Sequence, residues 1–475
     1  MDSIPISRVT IEALHDQHDL DIELRPGLNI LYGKNGTGKT TFLHVLANLL
    51  DRDVGRFGFI RFSRISVETA EGTRIEVLQD RESPGHAVTL AIDGRSFPPV
   101  SRGEQTPPDL RAVLRDRLGG RPVYLPAFRA VLEAISQRRT HSADLTETQR
   151  EAEYKKIIER EEEESSEESR LPRTSYYFLE ASRGVAYKTV LCREWFGPFV
   201  PVVRFPSLWE VSEQLVSELQ QAQLAVASTD REAFSGVFVE VLKAVLAPSG
   251  TADAGDVQSL LTSLRNNLAD LEEAQAGVPE VYQEIASMVK DHGKYLSREE
   301  TIATRILKVY DRALSERSKA QKRAFQQIRT FEASVNRFLS GKRLSVGMPD
   351  IRHGPRRAHL NRVISLADGR PAGLSVLSSG ERHVLTLLFS ATHMSITDGM
   401  LLIDEPELSL HVGWQRIILA ELMKQAGDRQ IVACTHAPEV AAHHRDVMIE
   451  LAPISARQAA MTSEYGLLED DLPAE

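Results

Sequence analysis

Cysteine and long apolar runs are both scarce in this chain of 475 residues. Its two cysteines, Cys192 and Cys434, form no CxxC pair, so we expect neither a zinc site nor a disulfide framework, and we expect a reducing, cytoplasmic compartment. No apolar run approaches the roughly 20 residues of a membrane span, and the first residues lack a signal-peptide pattern, so we expect no membrane partner. The net charge of −10 argues against a protein that coats nucleic acid over its whole surface.

A glycine-rich segment near the N-terminus has the pattern of a phosphate-binding loop. Residues 28–32 are apolar enough for a buried strand, residues 33–40 fit G-x-x-x-x-G-K-[ST], and apolar residues at helical spacing follow. Glycines let backbone N–H groups converge on an anion at the positive end of the helix. An ordinary glycine-rich turn is the alternative, which the flanking strand and helix disfavour. The candidate nucleotide-binding residues are Gly33, Lys34, Asn35, Gly36, Thr37, Gly38, Lys39, Thr40 and Thr41.

Two carboxylates further along the chain supply the second half of a phosphoryl-transfer pattern. Residues 400–403 predict a buried strand that ends at Asp404 and Glu405. Asp404 and the hydroxyl of Thr40 are suited to hold Mg²⁺, while Lys39 would reach the β- and γ-phosphates. Glu405 is placed to polarise an attacking water. The sequence therefore predicts a site for ATP and Mg²⁺.

The apolar spacing changes along the chain in a way that predicts mixed β segments interrupted by helices. Short β patterns extend to about residue 125 and return after residue 341. Residues 137–173 are polar and rich in glutamate, which predicts a solvated, mobile segment. Residues 176–179 and 185–191 look β-like, and helical patterns follow at 209–227, 231–246 and 257–271. Residues 298–340 show the spacing of a coiled-coil arm roughly 60 Å long.

These changes predict three segments. They are a mixed α/β segment at 1–135, a helical insertion with the acidic mobile segment and the arm at 136–340, and a second mixed segment at 341–475. The resemblance to a known family, given next, implies that the first and last are the N-terminal and C-terminal lobes of one head.

Four motifs together resemble those of ATP-binding-cassette ATPases. Residues 33–40, 377–381, 400–405 and His436 look like the Walker A, signature, Walker B and switch-histidine motifs. The resemblance implies an α/β fold: a P-loop NTPase head with a RecA-like core and an antiparallel β lobe, interrupted by a helical or coiled-coil insertion. It also implies that Glu405 and His436 are catalytic, with His436 contacting the γ-phosphate. By itself, a histidine at a strand end is more often an ordinary polar residue.

The neighbouring residues narrow the resemblance to the OLD-like and SMC-like ATPases of bacterial anti-phage defence. The segments DEPE at 404–407, LH at 410–411, WQ at 414–415 and THAPE at 435–439 are similar to those of AriA-type ATPases of PARIS systems, and next to PtuA-type ATPases of Septu systems. The resemblance covers the two head segments, and the helical insertion matches only in type.

The signature and the strand at Tyr124–Leu125 depart from the cassette pattern. The signature reads LSSGE instead of LSGGQ, and no glutamine follows the strand. In such ATPases the signature of one subunit caps the nucleotide of another, which implies at least a dimer, with a trimer of dimers as a larger arrangement. The same residues would suit an ordinary helix N-cap. The candidate signature residues are Ser378, Ser379, Gly380 and Glu381.

Two functions remain open from the sequence. The first is an ATPase that acts as sensor and scaffold in anti-phage defence, holding a separate Toprim-type nuclease until a phage-encoded trigger protein is sensed. We expect a separate nuclease because only 39 residues follow His436. The second is a RecF-like or SMC-like repair ATPase that binds DNA directly. Lack of a CxxC in the arm and the short insertion favour the first.

Basic residues are concentrated between Arg312 and Arg362. Thirteen lysines and arginines lie there against three acids, a net charge of +10, so the rest of the chain carries −20. Such a surface suits either an acidic protein or the phosphates of DNA. We favour an acidic protein surface, because the chain is negative overall and aromatic residues for base stacking are sparse there.

Overall fold

The computed structural model describes residues 4–80, 86–128, 147–168, 176–246, 262–263, 266, 302–346, 364–392, 399–437, 439–451 and 454–455. The chain forms two compact units. The head unit comprises Met1–Val211 and Leu377–Glu475, and the insert unit comprises Ser212–Val376.

The strands of the described residues are, in chain order, β1 (Ile6–Leu14), β2 (His18–Glu23), β3 (Leu28–Tyr32), β4 (Arg64–Thr69), β5 (Arg74–Gln79), β6 (Val88–Ile92), β7 (Arg95–Ser96), β8 (Val123–Leu125), β9 (Lys342–Leu344), β10 (Ile364–Leu366), β11 (Pro371–Ala372), β12 (Leu401–Asp404), β13 (Ile431–Thr435), β14 (Met448–Glu450) and β15 (Ile454–Ser455). The α-helices are α1 (Lys39–Leu50), α2 (Pro108–Leu118), α3 (Glu147–Glu168), α4 (Tyr176–Phe196), α5 (Leu208–Leu246), α6 (Ile302–Asn336), α7 (Ser379–Ser390) and α8 (Val412–Ala426).

A parallel sheet with the order β14-β3-β13-β12-β8 forms the centre of the head unit. Every residue of β12 and β13 is buried, as in sheets that are covered on both faces. Thr435 pairs with Tyr32, and Asp404 pairs with Cys434, so the carboxyl ends of β3, β13 and β12 meet at one edge. Ligands of open α/β sheets bind at this edge.

An antiparallel sheet with the order β15-β2-β1-β4-β5-β6-β7 forms the second layer of the head unit. Along β1 and β5, apolar residues that face the core alternate with more exposed ones, the pattern of a sheet with one buried face. The α/β head with a parallel core and an antiparallel lobe is therefore confirmed.

Helix α1 lies between the phosphate loop and the core, and ten of its twelve residues are buried. His44 on this helix places Nε2 2.8 Å from the hydroxyl of Tyr124 on β8. Burial lowers the pKa of His44 to about 3, so the imidazole is neutral. The neutral ring forms a hydrogen bond with the tyrosine hydroxyl. This contact fixes α1 against the edge of the parallel sheet.

Helix α3 corrects the expectation of a solvated, mobile acidic segment only for the part that the structure describes, since residues 137–146 and 169–173 lie outside the described residues. Glu161 is 2% exposed, and its carboxylate lies 2.8 Å from Nη2 of Arg204 and 3.2 Å from Nη1 of Arg121. Arg204 also binds Asp51, the C-cap residue of α1, at 2.7 Å. A run of glutamates indicates a solvent-exposed segment only when no basic side chains pair with it. Here arginines from distant segments neutralise the buried face of the helix.

Helices α4 and α5 correct two further expectations. Residues 176–179 and 185–191 were expected to be β-like, but they belong to α4, whose Val185, Ala186 and Val190 pack with Val202. Their β-branched and aromatic residues favour strands locally, and tertiary packing overrides that preference. The two helices expected at 209–227 and 231–246 form the single helix α5. The two compact units divide after Val211 and before Leu377, whereas the sequence analysis expects boundaries at residues 136 and 341.

The insert unit contains the long helix predicted at 298–340, which the structure shows as α6. Its 35 residues correspond to about 50 Å. Leu314, Ile328, Phe331 and Val335 form its buried stripe. Strands β9, β10 and β11 form a small antiparallel sheet, and most of the helix predicted at 257–271 lies outside the described residues. Within the described ranges, no helix combines the length and apolarity that crossing a membrane requires.

The buried ion cluster gives a stability prediction. We expect Glu161→Ala to lower the free energy of unfolding by about 3–5 kcal/mol, because it leaves Arg204 and Arg121 buried without their carboxylate. Glu159→Ala, on the exposed face of the same helix, should change it by less than about 0.5 kcal/mol. Equilibrium denaturation of the three proteins measures both effects, and equal values for the two variants would contradict the buried arrangement.

The same cluster should respond to acid. Burial raises the pKa of Glu161, but Arg204 and Arg121 outweigh burial and bring it to about 2, below the ordinary value of 4.5. A lowered carboxyl pKa stabilises the fold above pH 4.5, and that contribution is lost as the pH falls toward 2. The stability difference between the wild type and Glu161→Ala should therefore shrink in that window.

Candidate active site

The phosphate loop connects β3 to α1 at the edge where the parallel strands end. Gly36 and Gly38 have φ angles of 84° and 90°, in the left-handed region that glycine adopts without a Cβ clash. A Cβ on Gly33 would lie 2.8 Å from the carbonyl oxygen of Leu451, so the loop passes close to the chain after β14. Gly38 is the N-cap of α1, and the loop therefore leads directly into the positive end of a helix.

Lys39 lies across this loop. Its side chain is 8% exposed, and Nζ donates to the carbonyl oxygens of Gly33 at 2.7 Å and Lys34 at 2.9 Å. The ammonium group thus lies against the same loop whose backbone N–H groups would donate hydrogen bonds to a phosphate. This placement suits the contact with the β- and γ-phosphates that the sequence predicts.

Thr40 and Asp404 come together from opposite ends of the chain. The hydroxyl of Thr40 donates to Oδ2 of Asp404 over 2.9 Å, and Asp404 is 3% exposed. A hydroxyl and a carboxylate are the oxygen ligands that Mg²⁺ prefers, and this ion usually takes only one or two protein ligands beside phosphate oxygens and water. The donor set therefore fits Mg²⁺ bound with a nucleotide. The described residues contain no cluster of three or more acidic, histidine or cysteine ligands.

Glu405 and His436 face each other at the ends of β12 and β13. Glu405 has a φ of 50°, and its N–H donates to the carbonyl oxygen of Cys434 at 2.8 Å. A positive φ is uncommon outside glycine and is typical of residues held in place at functional sites. Nδ1 of His436 lies 3.2 Å from Oε1 of Glu405. The structure thus brings the two expected catalytic residues together beside the Thr40–Asp404 pair.

The signature residues form the start of α7. Ser378 is its N-cap: its hydroxyl accepts from the N–H of Glu381 at 3.3 Å, and its own N–H donates to Oε2 of Glu381 at 2.6 Å. Ser379 begins the helix, and a Cβ on Gly380 would lie 3.2 Å from both Ser409 and Trp414. None of these residues is among those that line the cleft beside the phosphate loop. The expected helix-cap geometry is therefore present.

Two protein-family models match the chain, each over less than half of its length. One, described as "AAA domain, putative AbiEii toxin, Type IV TA system", matches residues 290–442, and the other, described as "AAA domain", matches residues 8–182. Between them they include strands β3, β8, β12 and β13 of the parallel sheet and all four motifs. The chain carries a P-loop ATPase head. A search of curated proteins gave no significant match.

Similar solved structures are Smc head domains. One, from Pyrococcus furiosus, has an extended coiled coil bound to the C-terminal domain of ScpA (13% identity, 98% of this chain and 99% of that chain covered, TM-score 0.36). Another, from Pyrococcus yayanosii, has a coiled coil and joint (14%, 98% and 99%, TM-score 0.38). A third is the SmcHead bound to the C-winged helix domain of ScpA (10%, 96% and 99%, TM-score 0.36).

The cleft beside the ATPase loop includes residues that the sequence analysis missed. Its volume is about 430 Å³. The turn between β1 and β2 contributes His15 and Gln17, and the first residue of β2 contributes His18; the left-handed φ of His15, 52°, turns the chain there. Nothing in the local pattern HDQH links these residues to a loop that begins 18 positions later, so only the fold reveals them. Its lining is His15, Gln17, His18, Asn35, Gly36, Gly38, Lys39, Thr40, Thr41 and Glu405.

An aromatic stack lies just after β8, where cassette ATPases usually carry a glutamine. The ring of Phe128 lies 3.9 Å from the ring of Phe196 at the end of α4, with an angle of 12° between the planes. Offset-stacked aromatic rings attract each other beyond simple apolar burial. The end of this strand is therefore connected to a helix of the head by an apolar contact.

The expected roles of Lys39 and Glu405 separate nucleotide binding from hydrolysis, and two variants test that separation. We expect Lys39→Ala to abolish ATP binding, because the charge over the phosphate loop is lost. Glu405→Gln should bind ATP normally and hydrolyse it about 100-fold more slowly or worse, because the amide cannot act as a base toward water. Nucleotide titration and phosphate release measure the two effects. Glu450→Gln, at an exposed residue of β14, is the control, and normal hydrolysis by Glu405→Gln would remove Glu405 from the mechanism.

Proposed function

We propose that the protein binds and hydrolyses ATP with Mg²⁺ at this site. The observation that supports it best is the convergence of Thr40, Asp404, Glu405 and His436 at the end of three parallel strands. Thr40 and Asp404 would hold the ion, which neutralises developing charge on the phosphates. Glu405 would accept a proton from the attacking water, and His436 would contact the γ-phosphate. The Glu405→Gln experiment above tests this proposal.

We further propose that the working ATPase has at least two subunits, with the signature of one capping the nucleotide of the other. The location of Ser378 outside the lining of its own cleft supports this proposal. Ser378 and the N–H of Gly380 would then contact the γ-phosphate of the partner subunit's nucleotide, in charge-assisted hydrogen bonds.

Mixing two inactive variants tests the shared site. Lys39→Ala removes the phosphate contact, and Ser378→Arg fills the signature with a bulky side chain. An equal mixture should recover about a quarter of wild-type hydrolysis, because half of random dimers are mixed and each has one intact site. A shared site would be contradicted if Ser378→Arg alone hydrolysed ATP at the wild-type rate. It would also be contradicted if a mixture shown to exchange subunits recovered no hydrolysis.

For the biological role, we propose an ATPase switch in anti-phage defence that controls a separate nuclease. The DEPE segment at 404–407 and the THAPE segment at 435–439 support it by their similarity to AriA-type and PtuA-type ATPases. The family model whose description names an AbiEii toxin of a toxin–antitoxin system supports the same class. A partner nuclease and a phage trigger protein would bind the ATPase, and the chain itself would act as sensor and scaffold.

Infection of cells that carry the native operon tests this role. Phage plating should be reduced by the wild-type operon and restored by Lys39→Ala and by Glu405→Gln, since both block the ATP cycle. Survival of DNA damage should not change when the gene is deleted. Sensitivity to DNA damage in the deletion strain, without any change in phage plating, would favour a repair ATPase.

The basic face of α6 supports direct DNA binding as the second candidate function. Among the described residues, Lys319, Lys322, Arg323 and Arg329 are exposed on this helix, while Glu316 is the exposed acid. Of the other basic residues between Arg312 and Arg362, those at 352, 356, 357 and 362 lie outside the described residues. We retain an acidic protein as the favoured partner of this face, because the chain is negative overall.

Binding to random duplex DNA at two salt concentrations separates these partners. If the face binds an acidic protein, we expect weak DNA binding at physiological salt and little change when Lys319, Lys322 and Arg323 become Glu. The repair ATPase would be favoured by DNA binding whose salt dependence corresponds to several phosphate contacts and whose affinity falls in that triple variant. Arg117→Glu, an exposed reversal on α2, controls for net charge.

A further inference from the structure

Glu407 is a buried carboxylate next to the catalytic pair that the mechanism above does not use. It follows β12, two residues after Glu405, and is 6% exposed. Its Oε1 accepts hydrogen bonds from the hydroxyl of Thr435 at 2.6 Å and from the N–H groups of His436 and Ala437, each at 3.3 Å. All three donors belong to the segment that leaves β13 and carries the switch histidine.

The sheet explains why this carboxylate meets these donors. β12 and β13 are parallel neighbours, so the turn after one lies beside the turn after the other. The hydroxyl of Thr435 also accepts from the N–H of Ala437 at 3.0 Å, which closes a small network around one oxygen of Glu407. Charge-assisted hydrogen bonds are about twice as strong as neutral ones, so this network fixes the backbone of His436 firmly.

The imidazole of His436 lies between two carboxylates as a result. Its Nδ1 is 3.2 Å from Oε1 of Glu405 and 3.9 Å from Oε1 of Glu407. The ring is half exposed, so its own packing does not hold it in place. The position of the ring therefore depends on the backbone that Glu407 binds and on the contact with Glu405.

The second oxygen of Glu407 indicates that this carboxylate has a role beyond stabilising the turn after β13. Among the described residues, no hydrogen-bond donor reaches the buried Oε2 atom. An unsatisfied buried carboxylate oxygen costs stability, and such groups in folded proteins call for an explanation such as a role at an active site. Glu407 lies within three residues of Asp404 and Glu405, at the edge where the nucleotide would bind.

We propose that Glu407 is a positioning residue that acts through His436, holding the histidine where it meets the γ-phosphate and Glu405. This inference rests on the ATP hydrolysis proposed above. It predicts that Glu407 affects turnover rather than nucleotide binding, because neither Lys39 nor the phosphate loop contacts it in the described structure. Residues that orient an active-site group through hydrogen bonds are typically worth about 10- to 100-fold in activity.

The test is a double-mutant cycle of Glu407→Ala and His436→Ala, with ATP affinity and kcat measured for each protein. We expect Glu407→Ala to lower kcat about 10- to 100-fold with ATP affinity within about twofold of wild type. In the His436→Ala background, Glu407→Ala should have almost no further effect on kcat, because residues that act as one unit are not additive. Independent, additive losses would show a structural role and overturn the inference.

Two further variants guard against simple misfolding. Glu407→Gln keeps an acceptor oxygen for Thr435 and the two N–H groups, so it should retain more activity than Glu407→Ala. Thr435→Val removes one donor and should lower kcat by an intermediate amount. Glu421→Ala is the matched control: Glu421 is 1% exposed on α8 and pairs with Lys424 at 2.8 Å, so its loss removes an equally buried carboxylate away from the site.

The outcomes separate this inference from the proposed function. Wild-type protein that binds ATP without hydrolysing it overturns both. Normal hydrolysis by the wild type and by Glu407→Ala overturns the inference alone, and so does an equal loss in Glu421→Ala, which would reflect stability. The inference is supported if Glu407→Ala lowers kcat, if Glu407→Gln retains part of kcat, and if Glu407→Ala lowers kcat no further in the His436→Ala background.

Discussion

The hydrogen bond between Thr40 and Asp404 joins residues that are 364 positions apart, and the rest of the site depends on the strand alignment that permits it. β3 and β12 both pair with β13 in parallel, with Leu31 opposite Cys434 and Cys434 opposite Asp404. A one-residue shift in either register would reverse which side chains face each side of the sheet. The residues proposed to hold the ion, to orient the water and to contact the γ-phosphate are thus brought together by one alignment.

This alignment also explains how a large helical unit can interrupt the head. The chain leaves the head at Val211 and returns at Leu377, and both parts contribute strands to the same parallel sheet. The entropic cost of closing a chain segment grows only slowly with its length, so the inserted residues add little to the cost of pairing β8 with β12. The buried charges around Arg204 then fix α3 against the end of α1, which begins at the phosphate loop.

The parts of the site that a local pattern determines could be predicted from the sequence. The glycine loop, the apolar strand before Asp404 and Glu405, and the N-cap at Ser378 each depend on a few consecutive residues, and each lies where it was expected. The burial of Glu161 could not be predicted, because Arg204 and Arg121 reach it from separate segments. A glutamate run looks the same in sequence whether arginines cover it or water does.

Contacts between neighbouring turns escape prediction for the same reason. The role of Glu407 depends on the turn after β13, and the place of His15 beside the phosphate loop depends on the packing of the antiparallel lobe. In both cases the residues that meet lie at or just beyond the ends of different strands, and their spacing in the sequence carries no signal. The pairing of β12 with β13 supplies the information that a single sequence lacks.

The signature segment shows that two interpretations of one motif can hold together. The hydroxyl of Ser378 accepts from the N–H of Glu381, so the capping bond uses one of its lone pairs. A serine hydroxyl also has a proton to donate, and the cap leaves that proton for an acceptor such as a phosphate oxygen. The capping box therefore orients the hydroxyl and the first N–H groups of α7 in one direction. In the dimer proposed above, the same bonds that begin the helix would preorganise it to meet an anion from the partner subunit.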